Sequence, residues 1–152
     1  MRKFIVAAVI AVLPLTAIAQ EDSPQMLAVK ARQGFYEMLN ANMGVLAAMA
    51  KGDMAYDENR AVRSAANIEA LSHYDLPMHF LEGTSTDDMP GKTAAKPDIW
   101  LDVEDFGKKY IALRTAAVGI TDEVKGGQNE VGAVVAKMGQ TCKNCHDSYR
   151  QK

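Results

Sequence analysis

Apolar side chains recur at alternating spacings of three and four residues in four segments of the chain, which predicts four amphipathic helices. The segments cover about 24–51, 57–75, 98–120 and 131–149. Gly52, Pro77 and the Gly126-Gly127 pair interrupt the pattern, and Asp57 is a plausible N-cap. No segment shows the strict alternation that is typical of a strand. We therefore predict an all-α, antiparallel four-helix bundle, a fold whose core can hold a cofactor.

The second and third predicted helices are joined by a long connection, residues 77–97, which contains three prolines and two glycines. A connection of this length without regular structure is uncommon in a compact domain. We expect it to cross over helix ends or to form one wall of a cofactor site.

The fourth helix carries Cys142-Lys143-Asn144-Cys145-His146, which is the attachment signature of a c-type haem. Two thiols three residues apart on a helix lie on one face, where each can form a thioether with a porphyrin vinyl group. His146 follows directly, and a histidine nitrogen is a common axial ligand of haem iron. Both cysteines belong to the apolar stripe of this helix, so we expect the haem to lie in or against the bundle core. The stripe is Val131, Val135, Met138, Cys142, Cys145 and Tyr149.

Other interpretations of this motif explain less of it. A structural zinc site usually needs four Cys or His ligands, and only His73 and His79 remain in the chain. We expect those two histidines to be surface or capping residues. A redox dithiol would need a βαβ context, and a plain disulfide would leave His146 without a role.

The N-terminus has the pattern of a secretory signal peptide. A basic Arg2-Lys3 start is followed by an apolar run over 4–16 and by an Ala17-Ile18-Ala19 cleavage site. We predict a cleaved signal peptide at 1–19 and one domain at 20–152. The apolar run is short for a membrane span, although an uncleaved anchor is an alternative. Because c-type haem is attached outside the cytoplasm, the motif and the signal peptide together predict a periplasmic protein.

The formal charge of the whole chain is −2 at pH 7, and cleavage would remove two basic residues. Haem propionates would add negative charge. Neither nucleic acid nor an anionic membrane is an expected partner of such a surface.

The inward stripe of the first helix includes one charged residue, Arg32. A charge on a core face needs a partner, and a haem propionate could accept two parallel hydrogen bonds from the guanidinium. The alternative is that Arg32 extends to solvent. Tyr36, one turn later, either packs in the core or covers the haem face opposite His146. The full stripe is Val29, Arg32, Tyr36, Leu39, Met43, Leu46 and Ala50.

The first helix also has a second apolar stripe, with Phe35, Met38, Val45 and Met49 around Asn42. Such a helix either has a wide core-facing surface or contacts a second copy in a homodimer.

With these features in place, the chain resembles the cytochrome c′ family, the class II c-type cytochromes. The matching stretches span nearly the whole predicted mature chain. The haem motif is shared with all c-type cytochromes, whereas its C-terminal position together with Lys96-Pro97-Asp98-Ile99-Trp100 is much more specific. The other matching stretches are 29–33, 50–52 with 56–57, and 141–150.

The resemblance implies a role for five residues. His146 would be the only protein ligand of a five-coordinate iron. Arg32 and Gln33 match residues that bond haem propionates, and Arg150 matches a basic residue beside the axial histidine. Tyr36 falls where a bulky, non-ligating residue crowds the distal haem face, while low-spin relatives have Met there and a six-coordinate iron. Phenolate ligation by Tyr36 is not expected, because the ordinary Tyr pKa is near 10 and we see no basic residue placed to lower it.

We therefore expect a non-enzymatic haem protein that binds nitric oxide, with carbon monoxide weaker, and sequesters nitric oxide in the periplasm. An electron-transfer cytochrome with an unknown redox partner is the alternative. A third class, an exported dithiol or metal carrier, predicts no covalent haem.

Overall fold

The computed structural model describes residues 22–152, so the predicted signal peptide lies outside the described part of the chain. Four long helices form the bundle, and two short helices precede and follow the third of them. Helix α1 packs against α2 and α6, and α4 packs against α6. The helices are α1 (Pro24–Lys51), α2 (Glu58–Ser72), α3 (Asp98–Leu101), α4 (Val103–Ala117), α5 (Ile120–Glu123) and α6 (Gln128–Tyr149).

The first helix begins and ends where the sequence predicts, whereas the second begins as predicted but ends at Ser72, three residues before the predicted end. The side chain of Ser23 caps α1 by accepting a hydrogen bond from the Met26 amide at 3.2 Å. Gly52 ends α1 in the left-handed region, with a φ of 79° that favours glycine. Asp57 caps α2 as predicted, because its carboxylate accepts from the Arg60 amide at 3.0 Å.

The third predicted helix is not continuous, and this part of the prediction is wrong. Asp102 leaves the helical region, with φ −138° and ψ 70°, and its side chain caps α4 by accepting from the Asp105 amide. At the other end Val118 is extended, and Gly119 adopts a φ of 78° before α5. The apolar spacing continues across both breaks, so periodicity alone could not reveal them.

The core extends along the bundle interior from α1 to α6. Its largest fully buried side chains include Leu46, Met49, Ile68, Leu76, Ile120 and Met138. Of the second stripe on α1, Phe35 and Met49 are buried and Val45 packs against the core, whereas Met38 is 54 % exposed. The second stripe is therefore mainly a wide core-facing surface. Within residues 22–152, no helix has the length and apolar character needed to cross a membrane.

The long connection contains one 3₁₀ turn, Leu76–His79, and its far end pairs with the C-terminus of the chain. The Lys96 amide donates to the Tyr149 carbonyl at 3.0 Å, and the Gln151 amide donates to the Ala94 carbonyl at 2.8 Å. The Lys96 ammonium also donates to the Ser148 carbonyl at 2.7 Å, in the last turn of α6. These contacts hold the connection against the end of α6.

Glu69 joins α2 to the α4–α5 turn. Its carboxylate accepts from the Thr121 hydroxyl at 2.6 Å and from the Gly119 amide at 3.0 Å, and these bonds lower its pKa. A carboxyl group whose pKa is lower in the folded chain than in the unfolded chain stabilises the fold at pH values above its unfolded-state pKa. That contribution is lost as the pH falls through the folded-state value.

We therefore expect Glu69→Gln to flatten the decline in Tm below about pH 5. Thermal unfolding followed by circular dichroism between pH 3 and 7 measures this, with Glu82→Gln in the exposed connection as a matched control. A Glu69→Gln variant with the same pH dependence as the parent would contradict the assigned role.

Candidate haem site

A cavity of about 810 Å³ lies between α1, α4, α6 and the long connection, within the size range of small-molecule sites. The long connection forms one wall of this cavity, the second of the two roles considered for it, because Phe80, Thr93, Ala94 and Ala95 line the cavity. Most of the exposed lining is apolar. The sequence-predicted site residues also line it: Arg32, Gln33, Tyr36, Cys142, Cys145, His146 and Arg150.

Cys142 and Cys145 lie half-buried on the cavity side of α6, and no disulfide joins them. Burial is the main cause that raises the pKa of each thiol above its ordinary value. No group of three or more His, Cys, Asp or Glu side chains within residues 22–152 could hold a metal ion, which leaves the zinc interpretation without a ligand set. The two thiols therefore lie near each other at one wall of a largely apolar cavity.

His146 is the next residue of α6 and also lines the cavity, although the residue is exposed. Desolvation lowers the pKa of its imidazole, and the charge of Arg150 lowers it further. Both effects favour the neutral imidazole, which is the form that binds a metal.

Tyr36 projects from α1 into the cavity and contacts the Phe35 ring edge-on, with the ring centroids 5.3 Å apart. Burial raises the pKa of the Tyr36 phenol well above its ordinary value. The expectation that no basic residue lies near was wrong, because Arg32 lowers this pKa. The effect of burial is larger, so Tyr36 remains a neutral phenol at physiological pH.

Arg32 is 3 % exposed, and it does not extend to solvent. Its two terminal nitrogens donate four hydrogen bonds to the long connection. One nitrogen donates to the His79 carbonyl at 3.3 Å and the Thr84 hydroxyl at 2.8 Å. The other donates to the Thr84 carbonyl at 2.6 Å and the Thr93 hydroxyl at 2.7 Å. The guanidinium also lies over the Phe80 ring, 4.7 Å from its centroid.

Gln33 and Arg150 lie at the edge of the cavity and are both exposed. The Gln33 side-chain amide donates to the Lys92 carbonyl at 2.8 Å. The Arg150 amide donates to the His146 carbonyl at 3.2 Å, which places Arg150 directly after the last turn of α6. Both residues are therefore close to the cavity opening without a buried partner that would occupy them fully.

Sequence analysis missed the contribution of α4 to the site. Phe106, Tyr110 and Leu113 belong to the apolar stripe that the three-four spacing of residues 98–120 predicts, and they line the cavity together with Lys109. The Tyr149 hydroxyl donates to the Asp105 carboxylate at 2.7 Å, which joins α6 to α4 below the cysteines. The stripe itself was visible in the sequence, but its pairing with α6 was not.

The two remaining histidines lie outside the cavity lining, as expected. His73 is exposed and caps α2. The His79 ring stacks on Tyr74 and hydrogen-bonds its hydroxyl.

The donor set fits a covalently attached haem. Two thiols three residues apart, a neutral imidazole directly after them and a largely apolar cavity between helices are what such a group requires. Polar side chains at the rim provide donors for carboxylates. Fold and site together define a c-type haem protein built on a four-helix bundle.

The comparisons with known proteins agree. The family model described as Cytochrome C′ matches residues 27–150. Cytochrome c′ of Cereibacter sphaeroides is 40 % identical to this chain, over 100 % of this chain and 99 % of that protein. The solved cytochrome c′ from Rhodobacter spheriodes has a TM-score of 0.80 and 41 % identity, and the match covers 84 % of this chain and 98 % of that one. The chain belongs to the cytochrome c′ family, and its cofactor is a covalently attached haem c, as predicted.

One solved relative also contains a gas. A nitric oxide complex of a variant of cytochrome c prime from Alcaligenes xylosoxidans has a TM-score of 0.72 and 28 % identity. The match covers 87 % of this chain and 100 % of that one.

Proposed function

We propose that this chain binds nitric oxide reversibly in the periplasm and holds it at a five-coordinate haem. When bound, the haem would supply an iron that can bond small uncharged ligands. His146 is the single protein ligand in this proposal, and Cys142 and Cys145 are the covalent anchors. The observation that carries the proposal is Tyr36, a neutral and bulky phenol that lines the cavity from the helix facing α6.

Tyr36 controls the distal side through its bulk. Its ring packs against the buried Phe35, so a ligand that approaches the distal position has to displace a packed side chain. Moving a side chain away from its preferred rotamer costs of the order of 1 kcal/mol. Ligands that bond weakly cannot offset this cost, whereas nitric oxide bonds ferrous haem strongly. The site therefore selects ligands by the strength of their bond to the iron.

The rim of the cavity holds the haem carboxylates in this proposal. Gln33 and Arg150 lie there with exposed side chains. The terminal nitrogens of Arg32 are directed at the connection, so only its Nε–H is left for a propionate. Arg32 would then donate one hydrogen bond rather than the two parallel bonds that the sequence suggested.

Export and assembly remain part of the proposal. We expect cleavage after Ala19. The intact mass of the protein isolated from the periplasm should then correspond to a chain that begins at Gln20 and carries one haem.

A homodimer through the α1 face near the exposed Met38 is proposed as well. Met38→Lys should then shift the sedimentation coefficient toward that of the monomer.

Titration of the ferrous protein with nitric oxide and carbon monoxide tests the gas-binding proposal. We expect both gases to change the visible spectrum with saturation at one equivalent, and carbon monoxide to bind more weakly. A ferrous protein that is unchanged by either gas would favour the electron-transfer alternative.

A further inference from the structure

Arg32 has a second role that the haem does not explain. It is a buried charge on α1 that donates three hydrogen bonds to the segment between Phe80 and Ala95 and a fourth to the His79 carbonyl directly before it. The same segment forms a wall of the cavity through Phe80, Thr93 and Ala95. By fastening this wall, Arg32 can act on the site beyond any contact of its own with a bound group.

The contacts of Thr93 and Thr84 show how the wall depends on Arg32. The Thr93 hydroxyl accepts from Arg32 and also from the Ala95 amide at 3.1 Å, so it links the guanidinium to the turn at the cavity edge. The Thr84 hydroxyl accepts from Arg32 and donates to the Leu81 carbonyl at 2.6 Å. Thr84 is fully buried. Both ends of the segment therefore meet at one guanidinium.

The segment has no long helix or sheet within it. Besides Arg32, the Gln33 side chain donates to the Lys92 carbonyl and the Trp100 indole donates to the Phe80 carbonyl at 3.1 Å. Ala94 and Lys96 pair with the C-terminal residues, and the Phe80 ring packs against Phe106. A segment held by few contacts opens locally at a lower cost than the whole fold. Arg32 donates three hydrogen bonds to this segment, whereas Gln33 and Trp100 donate one each.

We propose that Arg32 is a positioning residue that holds the 80–95 wall closed, so that ligands reach the cavity when the latch formed by Arg32, Thr84 and Thr93 opens. The wall contacts occupy the guanidinium in a way that a propionate contact alone would not require. This inference rests on the proposed gas binding, and it adds a route of access and the residue that governs it.

The test compares variants by the association rate of carbon monoxide with the ferrous protein. Thr93→Val removes one bond between Arg32 and the wall, so it should raise the rate by about fivefold, the effect of one lost hydrogen bond on an opening equilibrium. Arg32→Met removes all four bonds and should raise the rate by at least as much. The double variant should be no faster than about the faster single variant, because both changes release the same wall. Thr93→Ser keeps the hydroxyl and should restore the parent rate.

Lys30→Met is the charge control, because it removes a positive charge from α1 whose partner within residues 22–152 is the Asp22 carboxylate rather than the wall. A second readout is limited proteolysis of the holoprotein, which should cut within residues 81–92 faster in Arg32→Met and Thr93→Val than in Lys30→Met. This readout does not depend on gas binding.

The outcomes separate the two proposals. If no variant and no parent protein binds carbon monoxide, the proposed function fails, while the proteolysis still tests the wall. If carbon monoxide binds but Thr93→Val matches the parent in rate and cleavage, the latch is wrong. Rates that multiply in the double variant would also overturn it, because they would show that Arg32 and Thr93 act independently.

Discussion

Replacing Tyr36 with alanine is expected to raise the association rate of carbon monoxide with the ferrous protein by about tenfold, equivalent to about 1.4 kcal/mol of barrier. The phenol projects into the cavity and packs on Phe35, so a ligand has to displace it. Alanine removes the ring and leaves open space on the distal side. Stopped-flow or flash photolysis on the purified ferrous variant measures the rate.

Tyr36→Phe is the matched control, because it keeps the ring and removes only the hydroxyl. We expect its rate to stay within about twofold of the parent, the scatter expected when the bulk is unchanged. If Tyr36→Ala leaves the gas affinity and rate unchanged, the gating role of this residue is wrong. If Tyr36→Phe behaves like Tyr36→Ala, the hydroxyl rather than the bulk controls access.

Replacing both Cys142 and Cys145 with alanine is expected to abolish covalent haem completely. The thiols lie together on the cavity side of α6 and are the only cysteines of the chain. Acid-acetone extraction of the variant should then leave a colourless protein, and its intact mass should lack the haem. We also expect a lower Tm, because a group bound only by the folded state stabilises that state.

The control for this pair is Lys143→Ala. Lys143 lies between the two cysteines, and its ammonium forms an exposed ion pair with Asp147. This variant should retain the pigment after extraction. A double cysteine variant that still keeps its colour through acid-acetone would show that the haem is attached elsewhere, and the assignment of these two anchors would be wrong.

Much of the fold could be predicted from the sequence, because the helices of a bundle depend on local patterns. The three-four spacing located α1, α2 and α6, and Ser23, Gly52 and Asp57 lie where helix ends need capping groups. The break at Asp102 was not predicted, since its effect on the backbone depends on a side-chain bond that the apolar spacing does not show. The apolar spacing fails to predict the backbone where a polar side chain such as Asp102 forms a hydrogen bond with a backbone amide.

The residues of the site could be predicted from the chemistry of their side chains more than from the way the helices pack. The haem motif and the stripe on α1 placed Cys142, Cys145, His146 and Tyr36 at one cavity. The partners of Arg32 could not be predicted, because Thr84 and Thr93 lie more than fifty residues away in a segment without periodicity. A buried arginine on a helix indicates that a partner exists, and only the folded chain shows which groups fill that role.

The coordination state of the iron is the most direct test of the account. Absorption and resonance Raman spectra of the purified ferrous protein should show a five-coordinate, high-spin haem with histidine as its only protein ligand. A low-spin, six-coordinate spectrum in the absence of added ligand would mean that a second side chain binds the iron, which would contradict an open site guarded by Tyr36.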